Sequence, residues 1–218
     1  MAASFLSYLR IDRSVKSSNN TEVPAVGSVL GSLKTAQVEP PRTLTSAMGR
    51  RFYGGTQVIA NGIAPVSAIP TTTATLALFN GEYDGGASLV VERVGFCLGS
   101  GTAAAGATLF VCVTSTKVAT VPTMASNYAV QSMSDGSRAS RAILGTAVTV
   151  ATSGWFAAAS SFQLAAANVG QGGDFYIADG EIVVPPGYAM GLAILSGAGT
   201  SPLYSVSCVW SELDLDLE

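Results

Sequence analysis

Among the residues able to do chemistry, the acids of "GGDFYIADGE" at 172–181 come closest to a cluster. Asp174, Asp179 and Glu181 could supply oxygen ligands to calcium or a carboxylate pair for glycoside hydrolysis. Their setting favours plainer work, because Asp174 and Asp179 flank a short strand pattern and each adjoins a glycine, which is ordinary turn chemistry. A glycosidase would also call for aromatic platforms, yet the only tryptophans are Trp155 and Trp210, the second on a core-facing pattern. The chain contains no histidine, which removes Ser-His-Asp and Cys-His nucleophiles and every histidine metal ligand at once. Cys97, Cys112 and Cys208 are odd in number and lack CxxC spacing, so buried free thiols are expected rather than a disulfide framework or a zinc site. "GSGTAAAG" at 99–106 is glycine-rich, but no Lys-Ser or Lys-Thr follows it, and it reads as a hairpin turn rather than a phosphate loop. The expectation is a protein that is not an enzyme, with no catalytic residues, no cofactor and no metal.

The elements that would carry these residues are short strands. From about residue 56, Leu76 and Leu78 alternate with Thr75 and Ala77, and Asn80-Gly81 and Asp84-Gly85 supply turns. "SLVVERVGFCL" places Val90, Val94, Phe96 and Leu98 on one face, and "ATLFVCVT" is apolar on both, as in the middle of a core. A loop over 115–141 precedes the strand "AILGTAVTVA", and residues 155–169 suit a strand or a short helix equally. Then come "DFYIA", a turn at Asp179-Gly180, "EIVV", a turn at Pro186-Gly187, "AMGLAIL" and "LYSVSCVW". Pro186 presets φ and Gly187 accepts φ > 0, so Pro185 to Tyr188 suit a type II turn. "AMGLAIL" reads as an inner strand, covered by the opposing sheet and by another subunit. The pattern predicts an all-β fold, an antiparallel β-sandwich of jelly-roll type with about eight strands.

Composition adds a bias toward assembly. Charged residues are 11% of the 218-residue chain against a usual value of about 25%. A lone monomer so short of surface charge is poorly protected against association, so copies or partners are expected to cover it. "MAASFLSYLRIDR" lacks the basic n-region and cleavage site of a secretory signal, and the alanine-carried window at 154–170 is too polar for a membrane span.

The charge is divided along the chain. Residues 1–54 carry Arg10, Arg13, Lys16, Lys34, Arg42, Arg50 and Arg51 against Asp12, Glu22 and Glu39, a balance of +4, while 55–218 balance at −7. With Pro24, Pro40 and Pro41 and no helical period, 1–54 reads as an extended N-terminal arm that docks on an acidic surface of a neighbouring copy. Nucleic acid is disfavoured as the partner, since these cations are too scattered for a phosphate footprint. At the other end, Tyr204, Val206, Cys208 and Trp210 share the core face of the last strand, but in the tail 212–218 Leu213, Leu215 and Leu217 move to the opposite face. The acids Glu212, Asp214, Asp216 and Glu218 fall on the former core face, so the pattern requires a bulge near Ser211 or a tail that leaves its sheet to meet a neighbour. The candidate assembly residues are therefore Arg10, Arg13, Arg42, Arg50, Arg51, Leu213, Asp214, Leu215, Asp216 and Leu217, on an arm (1–54) and a sandwich domain (55–218).

"LFNGEYDGGASLVVERVGFCLGSGTAAAGATLFVCV" at 78–113 and "GEIVVPPGYAMGLAIL" at 180–195 resemble structural proteins of tailed-bacteriophage virions, of the head-decoration and tail-fibre kind. The likeness covers about two-thirds of the chain. Its "V-P-P-G" turn also occurs in cupins, whose metal-binding histidines this chain lacks. The resemblance implies a self-assembling decoration (cement) or other capsid-associated protein, a trimer by analogy, located in the virion after assembly in the host cytoplasm and bound to a major capsid protein. The alternative it implies is a tail module that recognises a cell-surface glycan through loop aromatics, for which Tyr83, Tyr128 and Tyr188 are candidates.

Overall fold

The computed structural model describes residues 26–27, 33–34, 42–58, 61–103, 106–134, 139–150, 154–161, 173–197 and 199–214. The chain divides into two units, Met1–Thr43 and Leu44–Glu218. In the first, β1 (Val26–Gly27) pairs antiparallel with β2 (Leu33–Lys34). Of the rest of the expected arm, 1–54, residues 42–54 are described, with Thr43 starting a one-turn helix, α1 (Thr43–Ala47), and the remainder lies outside the described residues.

The second unit is all-β. Its strands are β3 (Arg51–Thr56), β4 (Thr73–Asn80), β5 (Ser88–Ala103), β6 (Ala107–Val113), β7 (Tyr128–Ser132), β8 (Ala142–Thr149), β9 (Phe156–Ser161), β10 (Asp174–Val184), β11 (Ala189–Ser196) and β12 (Gly199–Leu213). They form two five-stranded antiparallel sheets, in the orders β10-β5-β12-β3-β7 and β8-β4-β11-β6-β9. The two sheets thus hold ten strands where the sequence pattern suggested about eight. The apolar side chains enclosed include Leu76, Leu78, Leu89, Leu98, Leu109, Leu192, Tyr204 and Trp210, each fully buried, with Trp210 stacked on Phe52 at 6.3 Å between ring centroids. The expected boundary at 54/55 falls inside β3, whose residues Phe52 to Gly55 pair with both β12 and β7 and so belong to the sandwich.

Several expectations hold because they rest on local rules. Gly187 has φ 81°, and the Tyr188 N–H donates to the Pro185 carbonyl at 3.1 Å, which closes the type II turn. β11 is an inner strand, flanked by β4 and β6 and buried along Ala189–Ile194. Its second face is covered from within the chain: Ala189, Cys112, Ala74 and Val148 form a second apolar cluster with Val118 and Trp155. The segment after β6 is tied over this sheet by Val118 N–H to the Gly187 carbonyl (2.9 Å) and Ala125 N–H to the Leu144 carbonyl (2.9 Å).

Other expectations fail where pairing partners decide. "GSGTAAAG" is no hairpin turn, since β5 runs on to Ala103 against β12, and β5 and β6 lie in different sheets. Asp179-Gly180 does not turn the chain either; β10 is one strand whose register against β5 shifts between Ile177 and Ile182, and the two residues sit in that bulge with φ 44° and 91°. Residues 156–161 are strand, and the rest of the ambiguous 155–169 window beyond Ser161 lies outside the described residues.

Candidate interaction surface

The apolar alternation of β5 breaks at Glu92. Leu89 and Val91 face the core before it and Val94, Phe96 and Leu98 after it, so Val90 is not on the core face with Val94 as the sequence pattern suggested. The reason is a bulge: Val209 and Trp210 of β12 oppose Arg93 and Val91, and Glu92 is skipped in the ladders to both neighbours. This bulge lies one strand away from the position expected near Ser211. β12 itself continues in phase beside β3, so Glu212 stays buried and accepts a hydrogen bond from the Ser140 hydroxyl.

The bulge turns Glu92 onto the outer face, where Arg51 clasps it through Nε (2.9 Å) and Nη2 (2.8 Å) and the Ser211 hydroxyl donates to it at 2.6 Å. Beside this network, Arg50 Nη1 pairs with Asp214 Oδ2 at 2.8 Å, and the Glu212 N–H donates to the Arg50 carbonyl. Four of the residues expected to reach neighbouring subunits are thereby placed together within one chain: Arg50, Arg51 and Asp214 by ion pairs, and Leu213 by pairing with Ser88 at the end of β12. Arg42 precedes α1 with φ 71°. Arg10, Arg13, Leu215, Asp216 and Leu217 lie outside the described residues. Glu92 and Ser211 were missed from sequence, although the parity change from Leu89 and Val91 to Val94 and Phe96 was available as a signal.

The acids of β10 are engaged in holding strands. Asp174 accepts the N–H of Phe175 (2.8 Å) and the N–H of Ser160 on β9 (3.2 Å), and Glu181 accepts the Tyr176 hydroxyl (3.1 Å). Among the described residues no three acids or cysteines group closely enough to hold a metal ion. All three cysteines are free thiols; burial pushes Cys112 up to about 11 and Cys208 up to about 12, so neither is a nucleophile at neutral pH.

Part of one sheet face is exposed. The second sheet is covered by the chain's own loop, whereas the outer face of β10-β5-β12-β3 presents exposed apolar side chains. The register sets Phe175, Gly95, Ser207 and Gly55 in one row across the strands, and Ile177, Arg93, Val209 and Tyr53 in the next. The first row is small apart from Phe175 at one end; in the second, Val209 is buried while Ile177, Arg93 and Tyr53 are exposed. Phe175 is 55% exposed, Ile177 59% and Tyr53 42%, and the Arg93 guanidinium lies 6.0 Å from the Phe175 ring centre. The depression over Gly95, Cys97, Ser205 and Ser207 has a volume of about 360 Å³.

A smaller feature lies at the loops between strands. Tyr83 is 67% exposed with the Arg141 guanidinium 5.6 Å from its ring centre, beside the Lys117–Asp84 ion pair at 2.5 Å. Tyr128 is buried, where desolvation raises its pKa, and Tyr188 packs against the core, so Tyr83 alone of the three candidate tyrosines stands out in solvent. No family model, curated protein or solved structure matches the chain.

Proposed function

We propose that the chain is a non-enzymatic structural protein of a phage virion, self-assembling and bound to the capsid as a decoration (cement) or other capsid-associated component. The observation that carries the reading is the strand order. With β7 and β8 set aside, the remaining strands pair as β3 with β12, β4 with β11, β5 with β10 and β6 with β9. These nested pairs are one long antiparallel hairpin folded over itself, the winding of an eight-stranded jelly roll common in capsid domains, with β7 and β8 inserted at its tip and widening each sheet by one strand. The low charge of the chain and the partly exposed apolar face favour a covered, assembled state. Its mechanism is mechanical: a rigid sandwich gives shape, and many weak contacts between copies add by multivalency.

Counting copies in purified particles by quantitative mass spectrometry tests this. Copies in the hundreds per particle are expected, with a multimeric mass, a trimer by analogy, for the isolated chain; absence from particles sinks the reading. The exposed Tyr83 under Arg141 favours a second reading, a glycan-recognising tail module. That reading requires binding on a glycan array that is abolished in Tyr83→Ala.

A further inference from the structure

We propose that Asn61-Gly62 is a site of spontaneous backbone modification, where the Asn61 carboxamide closes onto the Gly62 nitrogen and reopens as isoaspartate, loosening a strap that joins the two sheets. This chemistry stands whether or not the chain belongs to a virion.

The chain has two Asn-Gly pairs, and the fold treats them differently. At Asn80-Gly81 the asparagine is fully buried; its carboxamide nitrogen donates to the Ala87 and Val184 carbonyls, both at 2.9 Å, and its oxygen accepts the Glu82 N–H at 3.0 Å. Cyclisation there must first break these bonds in a buried setting, where their loss is costly. Asn61 stands in solvent, and among the described residues neither its carboxamide nor the Gly62 N–H has a hydrogen-bond partner. Gly62 cannot carry a side chain, because a Cβ there would lie 2.0 Å from the Tyr204 carbonyl oxygen. The close packing that demands glycine thus leaves the attacking nitrogen unshielded.

Cyclisation forms a bond from the Gly62 nitrogen to Asn61 Cγ and breaks the bond from Cγ to Nδ2, so that the carboxamide nitrogen departs as ammonia with the Gly62 proton. Water then opens the succinimide. Attack at Cγ gives aspartate, whereas attack at the main-chain carbonyl gives isoaspartate, whose backbone is longer by one methylene. That extra atom enters directly ahead of the strap. Ile63, itself in the core, exchanges hydrogen bonds of 2.8 Å with Tyr204 of β12, while Val66 donates to the Ile194 carbonyl of β11 at 2.8 Å and accepts the Ser196 N–H at 3.3 Å. Residues 63–66 therefore bridge the sheets, and Gly62, already against Tyr204, leaves no slack to absorb a longer link.

The test ages the full chain in warm, mildly alkaline buffer below its thermal midpoint and maps its peptides by mass spectrometry, with electron-transfer fragmentation to separate isoaspartate from aspartate. In the native chain Asn61 should be lost at least about tenfold faster than Asn80, the effect of the hydrogen bonds that Asn80 must break, and the gap should close in urea. Asn61 reacting no faster than Asn80 overturns the assignment; a gap that persists in urea also overturns it, since neighbouring residues rather than the fold would then set the rates. The thermal midpoint of the aged chain should fall as isoaspartate accumulates, and that of Asn61→Ser aged alongside should not. A midpoint that stays constant in the modified chain, or falls equally in Asn61→Ser, overturns the link from site to strap.

Discussion

A carboxylate in the middle of a five-stranded sheet must be held by its surroundings, and Glu92 is held by two Arg51 nitrogens and the Ser211 hydroxyl. Removing the cation takes the balancing positive charge from a buried carboxylate, a change that costs about 3 kcal/mol. Arg51→Met should therefore lower the urea midpoint of unfolding by that equivalent, and the double variant Arg51→Met/Glu92→Leu should recover much of the loss. Cys208 makes a prediction in pH. Its folded pKa of about 12 lies above the 9.0 of an unperturbed thiol. Below about pH 9 the thiol is protonated in both states and contributes a constant stability; between 9 and 12 the unfolded chain gives up the proton first, so stability falls as pH rises. Urea titrations from neutral to alkaline pH should show this decline, and Cys208→Ala should flatten it. The burial of Cys112 and Cys208 was legible in the sequence because it follows from residue type and strand phase, whereas Cys97 is only half-buried. The role of Glu92 was not, because a bulge is settled by the strands on either side.

At the scale of elements, β11 shows how tightly a strand covered on both faces is fitted. A Cβ on Gly191 would lie 2.8 Å from Cys112 Sγ, 3.0 Å from Val150 Cγ1 and 3.1 Å from the Ala74 Cβ. Gly191→Ala should destabilise by roughly 2 kcal/mol through overpacking, seen as a lower thermal midpoint with no change in secondary structure by circular dichroism. This strand and the turn before it were readable, since "VPPGY" fixes its own geometry and "AMGLAIL" its own burial. β10 was misread as two strands because Asp-Gly serves a turn and a bulge equally well, and only the long ladder with β5 selects the bulge. The same dependence on distant partners hid β7, which falls inside the expected loop 115–141, and left the edge position of the expected strand β8 unread. It also misplaced the start of the sandwich: Arg50 and Arg51 look like arm cations in sequence, and their carboxylate partners, Asp214 and Glu92, are far along the chain.

For the whole molecule, surface charge is the scarce quantity. With the division at Thr43, the sandwich unit carries six cations against eleven acids, and among the described residues Arg50, Arg51, Lys117 and Arg141 are held in internal ion pairs. The formal charge of the chain at pH 7 is only −3 and its isoelectric point is about 4.9. Acidification toward pH 5 should therefore produce a steep, reversible rise in light scattering. The position of the two ends of the sandwich has a mechanical consequence as well. β3 and β12 are neighbours, and Arg51 at the start of one lies opposite Ser211 near the end of the other. Tension applied between residues 50 and 214 would load that ladder one hydrogen bond at a time, the zipper direction in which paired strands resist least. On the proposed virion role, a particle under internal pressure would do better to press on the broad faces of this protein than to pull on its ends.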